Sequence, residues 1–290
     1  MSSNRTNGTK PAIQHSKSIL DDRRIRLLLA IVGAIVAWMV VTIVVQPGTT
    51  KTIANVPVDF TYDSAAYTSR GLSIVSAEDK TVNLKLSGFF LRRPISVCDW
   101  ENGELTLIYK VLGHGTEAMT GMAPGTELDV LTGLGNGFDV SRGGEHPLLV
   151  GGGVGVPPLY KLAKALLAEG KPVSVVLGFN TADEGFYADE FRALGCDVHV
   201  ATADGSAGTK GFVTTAIAER GLDFDYFYAC GPLPMLRALC DAVQQDGQLS
   251  FEERMGCGFG ACMGCSCETK YGNKRICKDG PVLEKEEIVW

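Results

Sequence analysis

The 290-residue chain is predicted to be an α/β protein in which a parallel nucleotide-binding sheet is followed by a small cysteine-rich domain and preceded by one membrane helix. Three observations carry this: apolar runs alternating with helical patterns after residue 147, five of nine cysteines between Cys257 and Cys277, and an uncharged run from Leu27 to Val45. Strands alternating with helices imply crossover connections, hence a parallel sheet whose ligands sit at the carboxyl ends of its strands. With 27 Lys plus Arg against 33 Asp plus Glu, the net charge of −6 offers no basic field for a polynucleotide, so no nucleic-acid partner is expected. The 35 glycines are about 12% of the chain, against roughly 7% on average, and point to close backbone approaches such as those around phosphates.

Residues 1–20 are polar and poor in large apolar groups, and are expected to be a flexible tail. The nineteen residues Leu27–Val45 would span about 28 Å as a helix, close to the hydrocarbon thickness of a bilayer, which predicts a transmembrane helix over 25–47. A cleaved signal peptide and a buried soluble helix are the alternatives. Lys10, Lys17, Arg23, Arg24 and Arg26 precede the span and only Lys51 follows closely, so the positive-inside rule places the N-terminus in the cytoplasm and the remainder outside. Residues 51–88 read as short β runs, with Val82, Leu84 and Leu86 at a period of two. A β-rich stretch covers 89–146. Strands follow at Leu148–Gly151, Val173–Leu177, Val198–Ala201 and Tyr226–Ala229. The helix after the first of them presents Leu159, Leu162, Ala163, Leu166 and Leu167 as its apolar stripe, and further helices cover Ala188–Leu194 and Met235–Val243.

Gly151, Gly152, Gly153 and Gly155 stand where the first of those strands hands over to its helix, so bare N–H groups could receive a pyrophosphate. Their spacing is not GxGxxG, and an ordinary glycine-rich turn is the plain alternative. Cys230-Gly231-Pro232 ends a later strand on the same sheet edge, and two such loops on one edge define a crevice. Upstream, Arg93-Pro94-Ile95-Ser96 sets a guanidinium and a hydroxyl on an extended segment, both suited to phosphate, although a surface arginine in a strand reads the same way.

Cys257, Cys262 and Cys265 are spaced C-x4-C-x2-C, and eleven residues separate Cys265 from Cys277. That is the plant-type arrangement for [2Fe–2S] ligation, and glycines between the cysteines let backbone amides turn towards sulfur. A zinc site is the alternative, but zinc favours paired C-x2-C knuckles. Cys98, Cys196, Cys240 and Cys267 are expected to be packed bystanders. A cluster of this kind needs reducing surroundings, in conflict with the topology inferred from the flanking charges.

Taken in order, Arg93–Ser96, Ile108-Tyr109-Lys110, Gly113-His114-Gly115-Thr116, Gly133–Phe138, GGGVGVPPL, ACGP, the cysteine loop and CKDGPV resemble the ferredoxin-reductase flavoprotein superfamily. Within it, residues 89–290 are most similar to the electron-transfer subunits of class B dihydroorotate dehydrogenase. The resemblance implies FAD held by Arg93, Pro94, Ile95 and Ser96, lined by Ile108, Tyr109 and Lys110, with its phosphates at Gly115 and Thr116. It implies NAD between the Gly151–Gly155 loop and Cys230-Gly231-Pro232, and a [2Fe–2S] cluster on Cys257, Cys262, Cys265 and Cys277. The partner would be an FMN-bearing catalytic subunit, in a heterotetramer, whose electrons pass through cluster and FAD to NAD in pyrimidine biosynthesis. No acid–base catalytic residue is implied, and His114 reads as a turn residue.

Residues 25–88 resemble the N-terminus of YbbR-type membrane-anchored proteins. They stand where the superfamily has its first barrel strands, so a truncated flavin barrel over 89–146 is expected, with the chain a join of two genes near Gly88. The NAD domain is then expected over 147–247 and the cluster domain over 248–290. Another reductase subunit of the same superfamily, using NAD(P)H, and a non-enzymatic membrane-anchored YbbR-type protein are the alternatives for function.

Overall fold

The computed structural model describes residues 38–44, 81–101, 104–123 and 126–290. Five strands form an antiparallel sheet: β1 (Trp38–Val44), β2 (Thr81–Lys85), β3 (Arg93–Glu101), β4 (Glu104–Lys110) and β5 (Asp129–Leu134), in the order β1-β4-β3-β2-β5. Helix α1 (His114–Thr120) follows β4. Val82, Leu84, Val97, Leu107 and Val130 are buried together as the core of this unit. Arg92 closes one edge by pairing its two terminal guanidinium nitrogens with the Asp129 carboxylate, at 2.8 and 2.9 Å.

Two expectations are corrected here. The second half of the apolar run is a strand and not part of a membrane helix over 25–47: β1 runs antiparallel to β4, with Trp38 opposite Lys110 and Val44 opposite Glu104. Its sequence, WMVVTIV, is dominated by β-branched side chains, whose restricted rotamers favour extended backbone. Among the described residues no helix is long and apolar enough to cross a membrane. The tail over 1–20 and the rest of the span over 25–47 lie outside the described residues. So do 51–80 of the YbbR-like fragment. Its remaining part, β2, belongs to the five-stranded sheet, pairing with β3 and β5. The sheet is therefore not confined to 89–146, and strands from both sides of the expected junction build one core.

The second sheet has seven strands, in the order β14 (Val282–Glu284), β11 (Asp246–Ser250), β10 (Tyr226–Cys230), β6 (Pro147–Gly152), β7 (Ser174–Phe179), β8 (Asp197–Thr202) and β9 (Thr209–Lys210). All pairs are parallel except β11 with β14. Helices α2 (Pro157–Ala168), α3 (Ala188–Leu194), α4 (Val213–Arg220) and α5 (Leu233–Ala242) cover its faces. Because both faces are covered, β6 is buried at every position and reads as a continuous apolar run. Leu149 packs with Leu159, Leu162 and Leu166 of α2 on one face, while Leu148 and Val150 meet Leu236 and Leu239 of α5 on the other. Each such leucine contributes about 2 kcal/mol by leaving water.

The chain after α5 is stitched into this sheet. The expected boundary at 247/248 falls inside β11, which hydrogen-bonds to β10 on one side and to β14 on the other. Between β11 and β14 lie the cysteine loop and a two-stranded ribbon, β12 (Ser266–Thr269) and β13 (Gly272–Arg275). Cys265, Ile276, Cys277 and Leu283 share one core with α4 and α5.

Candidate functional site

The order of the parallel sheet reverses about β6, whose neighbours are β7 on one side and β10 on the other, and a crevice opens at its carboxyl edge. There Gly153–Gly155 form one tight turn, and Pro157 and Pro158 open α2 with ring-fixed φ and no wasted N–H. A methyl on Gly155 would collide with the Cys230 carbonyl oxygen and the Gly231 nitrogen, so the two loops touch through bare backbone.

One cleft of about 750 Å³ runs from this edge to the five-stranded sheet. The expected residues Pro94, Ile95, Ser96, Ile108, Tyr109, Lys110 and Thr116 line its side towards the five-stranded sheet; Gly152, Gly153, Gly155, Cys230, Gly231 and Pro232 line its side towards the seven-stranded sheet. Three expected residues stand outside the lining. Gly151 is covered by Val156 and Leu159. Arg93 lies across Gly115, where a methyl would strike its Nε, and it donates to the Leu91 carbonyl at 2.6 Å and stacks 4.7 Å above the Phe89 ring. The two halves are tied together by lysines of α2: Lys161 donates to the Trp100 carbonyl at 2.8 Å and Lys164 to Asp99 at 2.9 Å. Burial raises the Tyr109 phenol, so it remains a neutral group on the cleft wall.

Sequence reasoning missed several lining residues, Phe212 and Glu184 among them. Phe212, just before α4, is 70% exposed within the cleft, a flat apolar surface for a ring to stack on. Glu184 lies past the end of β7, where its Oε2 accepts from Asn180 N at 3.3 Å and Asn180 Nδ2 at 2.8 Å. An acidic residue after the second strand was the available signal.

The four cysteines of the loop are gathered two by two. Cys257 and Cys262 are within hydrogen-bond reach of each other, as are Cys265 and Cys277. Among the described residues no three His, Cys, Asp or Glu side chains are close enough to hold one metal ion. Two thiol pairs suit a two-iron cluster, with two thiolates on each iron, better than one tetrahedral zinc. Cys257 Sγ accepts from Ala261 N at 3.2 Å and Cys262 N at 3.5 Å. Burial acts to raise this thiol, but N–H donors from Cys262, Phe259 and Ala261 outweigh it and bring it down to about 6. Cys277 is pushed up to about 12, by burial first and then by the Cys265 thiol beside it. Arg275 braces the loop, donating to the Gly260 carbonyl at 3.0 Å while paired with Asp279. Cys98, Cys196, Cys240 and Cys267 are unlinked, with burial raising each thiol.

The wall between cleft and cysteine loop is thin. Thr81, Met255 and Pro281 line the cleft on one side and, on the other, a narrow gap that also touches Gly258 and Cys277. Asn136 clasps this wall: its N donates to the Gly280 carbonyl at 2.6 Å, its Nδ2 to the Val282 carbonyl at 3.0 Å, and its Oδ1 accepts from Val282 N at 3.0 Å.

Residues 252–289 match the iron–sulfur cluster binding domain of dihydroorotate dehydrogenase B, and residues 149–241 match the oxidoreductase NAD-binding domain. The chain is 50% identical over 208 residues to the dihydroorotate dehydrogenase B (NAD(+)) electron transfer subunit of Fusobacterium nucleatum subsp. nucleatum, covering 68% of this chain and 80% of that one. It is 51% identical over 209 residues to the protein of the same name from a Geobacillus species, covering 69% and 80%. Among solved structures, the NADH-dependent reduced ferredoxin-NADP oxidoreductase, described for flavin-based electron bifurcation, is 33% identical with a TM-score of 0.66, covering 73% of this chain and 79% of that one.

Proposed function

The chain belongs to the family of dihydroorotate dehydrogenase B electron-transfer subunits, and from that membership and its continuous cleft we infer that it carries electrons from a catalytic dihydroorotate dehydrogenase subunit to NAD. When bound, [2Fe–2S] supplies single-electron carriage and FAD the conversion between single electrons and hydride. The protein's own part is holding and spacing. Pro94–Ser96, Ile108–Lys110 and Thr116 hold the flavin, with Arg93 and Gly115 buttressing its phosphate end. The Gly152–Gly155 turn and Cys230-Gly231-Pro232 hold the nicotinamide nucleotide. The pairs Cys257/Cys262 and Cys265/Cys277 each take one iron, and the catalytic partner carries FMN in a heterotetramer.

The observation that supports this reading most is the shared wall of Thr81, Met255 and Pro281, which leaves one layer of side chains between the cleft and Cys277. Mixing the purified chain with the catalytic subunit is expected to give orotate-dependent NADH oxidation. A chain that carries flavin and iron yet reduces only ferredoxin-type acceptors would overturn it in favour of another reductase subunit. The unlinked cysteines fit reducing surroundings, so the redox part is read as cytoplasmic. Attachment to a membrane through 27–45 is not part of this reading, because Trp38–Val44 is committed to the flavin-type sheet.

Glu184 gives the preference for NAD over NADP. Its Oε2 is held by Asn180, which leaves Oε1 to accept from a ribose 2′-hydroxyl and to repel a 2′-phosphate. Glu184→Gln is expected to narrow the kcat/KM ratio of NADH to NADPH by about tenfold, the scale of one charge interaction near a surface. Steady-state kinetics with both nucleotides and a dye acceptor would measure it, and an unchanged ratio would remove Glu184 from this role.

A further inference from the structure

We propose that Asn83 is a positioning residue for the cluster loop: its side-chain amide seats Gly258 against the flavin-type sheet and sets the surroundings of the bound iron–sulfur group. The proposal deepens the cluster assignment above and rests on it.

Asn83 lies on β2, opposite Pro94 of β3 and next in register to Leu131 of β5. Its neighbours Val82 and Leu84 turn into the core, so the period of two directs Thr81 and Asn83 to the opposite face. Thr81 faces the gap that contains Gly258 and Cys277. Asn83 goes further: its Nδ2 lies so close to the Gly258 α-carbon that any β-carbon there would collide with it. Gly258 adjoins Cys257 in the chain and has φ +80°, a conformation that suits glycine. The conformation favours glycine here, and the Asn83 amide occupies the space that a β-carbon would take.

The other end of the same amide is unusual. Asn83 is 2% exposed, and among the described residues its Oδ1 is the buried side-chain polar atom without a hydrogen-bond partner. An unpaired buried acceptor is destabilising, and leucine would fill the same volume without that cost. Packing of the sheet therefore does not account for an amide here, whereas a donor, Nδ2, set against the cysteine loop does. An amide donor on that side of the loop favours the more negative, reduced form of the cluster, so its removal lowers the potential.

The test is Asn83→Leu, with Asn83→Ser as a smaller companion, studied in the full chain by iron and flavin analysis, electron paramagnetic resonance and potentiometry. Both variants are expected to keep FAD and iron, with a displaced cluster signal, a lower midpoint potential and a several-fold slower reduction of the cluster by NADH. Wild-type spectra and potential in either variant would overturn the proposal. Loss of flavin and iron together in both would also overturn it, marking Asn83 as a requirement of the fold alone. A wild-type protein without a two-iron signal would instead sink the cluster assignment on which the proposal stands.

Discussion

Cys257→Ser is expected to yield a folded flavoprotein that still oxidises NADH with a dye but has lost orotate-dependent NADH oxidation by more than about 100-fold, beyond what loss of an outer-shell partner costs at a metal site. Serine is a poor soft ligand at neutral pH, so one iron would be left with a single protein thiolate. The position isolates ligand loss from folding. Cys257 is only partly buried, on a loop braced by Arg275, and its Sγ accepts from backbone amides to which a hydroxyl can also bond. Cys277→Ser is expected to lose the same activity but to cost stability too, about 1–3 kcal/mol, because Cys277 is 3% exposed in a core with Ile276 and Leu283. Iron content, the paramagnetic signal after dithionite and thermal unfolding separate the two effects. Cys267→Ser is the control: that residue stands on β12, outside both thiol pairs, and should keep iron and activity. Retention of the cluster in both ligand variants would remove these cysteines from the site.

The nucleotide-binding half was legible because its physics is local. A strand buried on both faces must be apolar throughout, as Leu148–Gly151 is, and the α2 stripe has helical spacing; of its predicted members only Leu167 is left partly exposed. The cysteine spacing likewise singled out the four cysteines that the structure gathers as two thiol pairs. Their division into Cys257 with Cys262 and Cys265 with Cys277 depends on where β13 returns the chain, which spacing does not encode. The N-terminal strands were misread for a different reason. An uncharged run suits lipid or a sheet equally, and the β-branching of Trp38–Val44 was the neglected clue. The period of two at Val82, Leu84 and Leu86 was seen, but whether β2 pairs with β3 and β5 is a long-range fact. Asn136 shows the same limit. Its glycine-rich motif stands out in the sequence, but its partners, Gly280 and Val282, lie more than a hundred residues away.

Gly155→Ala is expected to raise the KM for NADH by about 100-fold, the cost of displacing a bound reactant by roughly 1 Å, while FAD and iron contents stay at wild-type levels. The added methyl would meet the Cys230 carbonyl and the Gly231 nitrogen, and backbone cannot rotate away as a side chain can. The glycine turn and the Cys230-Gly231-Pro232 loop must therefore part, and in the proposed reading they are the two lips between which the nucleotide is held. Gly153→Ala makes the contrast. Nothing lies within 4 Å of a methyl there, but φ is +51°, so the cost is backbone strain of about 1–2 kcal/mol. That variant should melt earlier, and because Gly153 itself lines the cleft, its KM for NADH reports the added methyl there rather than a parting of the two loops. Both measurements use the dye-reductase reaction, which needs neither the cluster nor the partner subunit. A Gly155→Ala protein whose KM stays within twofold of wild type would show that the close approach of the two loops is a packing feature with no part in holding the nucleotide.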